Sequence, residues 1–145
     1  MNARFAFPRR SSRIAAMTAI VLGVYSGFAA GEEVKLNLSG SQEVPAVTTS
    51  ASGTGAITVG ADRSVSGSVT TNGLVGTMAH IHEAPAGKNG PVIIPLTKSG
   101  NDGWAVPPGA KLTDAQYQAF KAGDLYVNVH SDQHKGGEIR AQLKP

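Results

Sequence analysis

From Val34 onward the apolar residues recur at every second position in short runs, and each run is cut off by glycine, proline or a small polar cluster. Side chains two apart on a strand share a face, so this period commits the chain to half-buried β-strands rather than to helices. Val34, Leu36 and Leu38 form the first such run, closed by Ser39-Gly40. Pro45 makes the following stretch an edge or an irregular extended segment, and residues 48–55, small and polar, read as a loop. Ala56 to Val59 and Val65 to Thr70 read as a hairpin with Ile57, Val59, Val65 and Val69 facing in. A turn at Asn72-Gly73 leads to a strand carrying Ala79 and Ile81, which stops at Pro85. A short apolar run, Val92 to Leu96, and a loop over residues 100–103 precede Trp104, a core or rim aromatic.

One stretch breaks the period. Thr113 and Gln116 have the spacing of a capping box, Asp114 lies in the first turn, Tyr117 and Phe120 share a face, and Gly123 can close the end. A helix over about 113–122 is therefore expected, too short to stand alone and suited to cover one end of a β core. Leu125 to His130 and Glu138 to Leu143 then resume the alternation, with Val127 and Val129, and Ile139, Ala141 and Leu143, turned inward. The expected fold is an all-β, Greek-key antiparallel sandwich or barrel with one short covering helix.

The first 29 residues read as an address. Arg4, Arg9, Arg10 and Arg13 precede an uncharged, mostly apolar run from Ile14 to Ala30, and Gly27 and Ala29 are the small residues a signal peptidase reads. Cleavage is expected after Ala29 or Ala30; an uncleaved membrane anchor is the competing reading. The arginine pair lacks the bulky apolar residue usual in a twin-arginine signal. Residues 30–145 would form a single domain, periplasmic or secreted, with no stable membrane insertion once the leader is gone. Four of the 13 basic residues lie in the leader, leaving nine against ten acidic ones, so the overall positive charge carries no argument for a nucleic-acid partner. The absence of cysteine leaves imidazole, carboxylate and thioether as the available metal ligands.

All four histidines fall in two alternating segments, Met78-Ala-His-Ile-His-Glu83 and Tyr126-Val-Asn-Val-His-Ser-Asp-Gln-His134. His80 and His82 must share one face of their strand, as must Asn128 and His130 of theirs, and both sets are expected on the outer face of the sheet. Imidazoles so grouped suit Cu, Zn or Ni. His80, His82 and His130 are the candidate ligands, with His134 as a fourth from a loop able to fold back. Met78, in phase with the pair, is either an additional soft ligand favouring copper or a filler beneath Trp104. Glu83, Asn128 and Arg140 are candidates for orienting an imidazole; a cross-strand ladder between Arg140 and Glu138 is the alternative. No Ser-His-Asp order, acidic dyad or phosphate-binding glycine loop stands out, so no catalytic residue is assigned.

Several motifs in order resemble the CHRD domain, named for its occurrence in chordin: Leu38-Ser-Gly-Ser-Gln-Glu-Val-Pro45, His80-Ile-His82 with Asn89-Gly-Pro91, Tyr126-Val-Asn-Val-His130, and Gly137-Glu-Ile-Arg-Ala-Gln-Leu143. Ala46 and Ala141 depart from the pattern where proline and glycine are usual. The resemblance implies a secreted or periplasmic β-sandwich without a settled activity. His80-Ile-His82 and Asn128-Val-His130 are also distantly similar to the copper strands of copper-zinc superoxide dismutase, whose bridging histidine, zinc loop and disulfide have no counterpart here. The leading expectation is an exported copper-binding protein that sequesters or carries the ion, with zinc as the alternative metal. A non-enzymatic extracellular module that binds another extracytoplasmic protein comes second, and a dismutase-like redox enzyme third.

Overall fold

The computed structural model describes residues 31–145; the leader expected over residues 1–29 and its cleavage position lie outside the described residues. Nine strands and one α-helix follow in the order β1 (Glu32–Ser39), β2 (Ser52–Val59), β3 (Val65–Asn72), β4 (Gly76–Glu83), β5 (Val92–Pro95), β6 (Thr97–Ser99), β7 (Gly103–Ala105), α1 (Asp114–Ala122), β8 (Leu125–Ser131) and β9 (Ile139–Leu143). A short 3-10 turn, Gly40–Gln42, follows β1. All strands join one antiparallel sheet in the order β5-β4-β8-β9-β1-β2-β3-β7-β6. The non-consecutive neighbours β4–β8 and β9–β1 carry the Greek-key crossovers, so the expected fold class holds.

The sheet is curled until its two edges nearly meet. Pro95 ends β5 at one edge and Thr97 begins β6 at the other, so Leu96 alone separates them. The Leu96 N–H donates to the Ala79 carbonyl of β4 (2.9 Å), and the Lys98 ammonium of β6 donates to the Gly76 carbonyl of β4 (3.0 Å). The result is a nearly closed barrel filled by the inward residues that alternation marked: Val34, Leu36, Leu38, Ile57, Val69, Ala79, Ile81, Val127, Val129, Ile139 and Leu143 are all buried. Trp104 belongs to this core.

Two local readings are corrected. Residues 52–55 belong to β2, not to a loop: small residues are required there because a side chain at Gly55 would run into the Ser68 carbonyl and Val69 of β3. Thr97–Ser99 and Gly103–Ala105 form a hairpin around residues 100–102 that polar, glycine-rich composition concealed. The helix is capped as its sequence predicts: Thr113 Oγ1 accepts from the Gln116 N–H (3.2 Å), the Gln116 side chain accepts from the Thr113 N–H (2.9 Å), and Gly123 ends it in the left-handed region. Phe120 anchors α1 to the core, and Arg63 in the β2–β3 turn pairs with Asp114 in its first turn.

Ile57→Ala, emptying a fully buried position, should lower unfolding free energy by about 2–5 kcal/mol, whereas Val75→Ala, at a position 84 % exposed, should change it by less than about 0.5 kcal/mol. Urea denaturation of the two variants checks the contrast.

Candidate metal centre

The face of β4, β8 and β9 that turns away from the core is polar, and the pairing register arranges it in transverse rows. Met78 lies opposite His130; His80 opposite Asn128, which lies opposite Arg140; His82 opposite Tyr126, which lies opposite Gln142. Three histidines from two strands therefore gather on neighbouring rows. Their ring centroids are 4.9 Å (His80–His130), 5.5 Å (His80–His82) and 6.3 Å (His82–His130) apart, and one nitrogen from each lies within 4.8 Å of the others.

This face is not the solvent-exposed surface that alternation alone predicts. His82 and His130 are buried, as are Asn128 and Arg140, and His80 is half-buried. Three connections cover it: residues 40–47 after β1, residues 84–91 after β4, and residues 132–137 after β8. Two of them fix the imidazoles. His82 Nδ1 bonds the Gly90 carbonyl (2.9 Å) and His130 Nδ1 bonds the Lys135 carbonyl (2.8 Å). A carbonyl oxygen only accepts, so each Nδ1 carries the proton and each Nε2 presents its lone pair. His130 Nε2 lies 3.1 Å from His80 Nδ1, and His82 Nε2 is buried without a partner among the described residues. Burial holds the His80 and His82 pKa values below that of a free imidazole, and the neighbouring rings push the same way. Imidazoles whose Nδ1 is held by a backbone carbonyl turn Nε2 toward a metal ion of the late first row, and the orphaned His82 nitrogen fits such an ion.

Behind His82 runs a stack. The Tyr126 ring lies parallel to the imidazole at 4.7 Å, and the Arg140 guanidinium covers the other face of Tyr126 at 3.4 Å from its centroid. Arg140 donates to Asn89 Oδ1 (3.3 Å) and Gln142 Oε1 (3.1 Å), while the Gly90 N–H donates to the Tyr126 hydroxyl (3.3 Å). The alternative ladder with Glu138 is not formed, since Glu138 accepts from Thr49 Oγ1 instead (2.7 Å).

The other candidates are placed less centrally. Met78 shares the histidine face at the open end and is 48 % exposed, so it fills no gap beneath Trp104. Glu83 ends β4 one residue out of phase with the imidazoles. His134 sits in the turn after β8, where its N–H donates to Ser131 Oγ (3.2 Å) and its carbonyl accepts from the Gly137 N–H (3.0 Å); its ring is not one of the three that converge.

Sequence reasoning missed Glu43. It enters the covered face from the loop after the 3-10 turn, is 6 % exposed, and interacts with Asn128 and Arg140. Burial pushes its pKa up to about 7, against the opposing pull of Arg140 and Asn128. The available signal was a lone acid flanked by Val44-Pro45 in a stretch poor in charge, which was read only as part of a motif.

A nearly closed antiparallel barrel bearing three convergent histidines on a loop-covered polar face defines a small β-module with a candidate metal centre. The chain matches the CHRD domain over residues 34–143 and belongs to that family. Comparison with curated proteins and with solved structures found no match. Family membership points to an extracellular module, and among the described residues no helix is long and apolar enough to cross a membrane.

The raised Glu43 pKa has a definite sign. The native state holds this proton more tightly than the unfolded chain, so Glu43's own contribution to stability is full below about pH 4.5, the ordinary carboxyl value, and falls away as pH rises through about 7. Glu43→Gln should remove that fall, which is on the order of 1–2 kcal/mol after allowance for solvent screening. Thermal melts across that pH range measure it.

Proposed function

We propose that this chain is an exported CHRD-domain protein that binds copper, with zinc as the competing ion, through His80, His82 and His130, and sequesters or carries it. The observation behind this reading is the pair of hydrogen bonds from His82 Nδ1 to the Gly90 carbonyl and from His130 Nδ1 to the Lys135 carbonyl, which turn two Nε2 atoms toward a third imidazole. A surface histidine hydrogen-bonding to water needs no such support; metal ligands characteristically have it.

Copper is preferred because Met78 stands on the same face, opposite His130, at the exposed end of the cluster. A thioether beside three imidazoles suits a soft ion, Cu(I) above all. His80, His82 and His130 would hold the ion, and copper bound there would supply a soft centre on the face that Met78 shares. In this reading His134 lies outside the ligand set, since its own backbone bonds hold the turn in place. Asn128 and Arg140 act behind the ligands, and Glu83 does not take part. The leader and the family favour the periplasm or the extracellular space as the setting.

A protein-interaction role rests on family membership, since CHRD domains are extracellular modules. The two roles are compatible.

The test is metal content of the exported protein by elemental analysis, followed by competition titration with Cu(I), Cu(II) and Zn(II). One copper per chain is expected. His80→Ala combined with His82→Ala should weaken binding by more than about 100-fold, beyond the usual cost of an outer-shell loss. His134→Ala should weaken it by less than about tenfold. Affinity unchanged in the double variant would refute the ligand assignment.

A further inference from the structure

Of the three converging rings, His82 and His130 are buried and each is pinned through Nδ1 to a loop carbonyl. His80 is half-buried, and its one side-chain hydrogen bond among the described residues is to another imidazole. The loop behind that bond fixes its hydrogen. His130 Nδ1 donates to the Lys135 carbonyl, so in the neutral ring Nε2 can only accept, and the hydrogen of the 3.1 Å contact belongs to His80 Nδ1. His80 is therefore the Nδ1–H tautomer with a bare Nε2. That Nε2 has no partner among the described residues and is not one of the buried unpaired atoms, so it reaches solvent, unlike His82 Nε2.

The contact also has nearly the dimensions of a coordination edge. Two nitrogens each about 2.0–2.1 Å from a tetrahedral ion stand about 3.3–3.4 Å apart. His80 Nδ1 and His130 Nε2 are already at 3.1 Å. Ligation through His80 Nε2 would leave the Nδ1 hydrogen on the His130 lone pair and take His130 out of the ligand set. Ligation through His80 Nδ1 lets all three rings serve.

Resting on the metal-binding reading, we propose that the centre loads by exchanging a proton for an ion at the His80–His130 bond, with His80 ligating through Nδ1 and His82 and His130 through Nε2. His80 Nδ1 gives its hydrogen to water and His80 Nε2 takes one from water, so no net proton is lost and the ring stays neutral. The lone pairs freed on His80 Nδ1 and His130 Nε2 then turn to the ion. On release the hydrogen returns to Nδ1 and the two rings bond to each other again. Two ligands are thereby held close to their loaded spacing throughout the cycle, which keeps the reorganisation on loading small.

Two-bond 1H–15N correlation spectra of the imidazoles test this in the 15N-labelled exported protein at about pH 8, well above the ordinary imidazole value of about 6.5. Spectra are recorded without metal and with one equivalent of Zn(II) or, under argon, of Cu(I); both ions are diamagnetic. Without metal, His80 is expected to carry its hydrogen on Nδ1. With either ion, the hydrogen should be on Nε2 and Nδ1 should be metal-bound, while His82 and His130 keep Nδ1 protonated in both states. A metal-free His80 protonated on Nε2, or a loaded His80 bound through Nε2 with Nδ1 still protonated, overturns the exchange and leaves the metal reading standing. Imidazole signals that respond to neither ion overturn the metal reading together with it.

Discussion

Every residue of β8, from Leu125 to Ser131, is buried, although alternate ones are polar. The apolar set meets the barrel core and the polar set meets the loops, so this strand is covered on both sides and every polar atom on it must find a partner inside the protein. That requirement organises the molecule. It is why three long connections lie across one side of the sheet while the β2–β3 and β6–β7 links are short turns, and why backbone carbonyls at Gly90 and Lys135 point at ring nitrogens. The strands set the spacing of the imidazoles; the loops set their orientation and protonation.

Loop cover also changes the electrostatics. On an open face, histidines and arginine would be solvated and nearly independent of each other. Enclosed, Arg140, Glu43 and the imidazoles act on one another, and burial holds His80 and His82 neutral while favouring a proton on Glu43. Tyr126 separates guanidinium from imidazole by the thickness of one ring, with its hydroxyl held by the same loop that holds His82.

The inward face of the barrel was legible because strand alternation is a local rule: Ala79, Ile81, Val127 and Val129 are buried where period two places them. The helix was legible because its caps are local as well. The grouping of His80, His82 and His130 followed from two such strands lying side by side. What alternation cannot say is what lies beyond the sheet. It marks Asn128 and Arg140 as facing away from the core, and whether that direction leads to water or to a loop depends on contacts between residues 40–47, 84–91 and 132–137, far apart in the chain. Glu43 was invisible for the same reason, being the loop's contribution to a face built by strands elsewhere. The β6–β7 hairpin escaped because three-residue strands carry too few side chains to show a period.

The sheet has one weak line. β1 and β9, the first and last strands of the domain, meet at a single paired position, Ser39 with Arg140, whereas β1–β2 and β4–β8 pair along most of their lengths. Their joint is the seam along which the sheet can part with least loss of backbone bonding, leaving β1-β2-β3-β7-β6 as one leaf and β5-β4-β8-β9 as the other. All three converging histidines belong to the second leaf, and Arg140 lies on its margin. Breathing at the seam would wet the guanidinium and the Glu43 loop while the imidazoles, all on one leaf, keep their spacing.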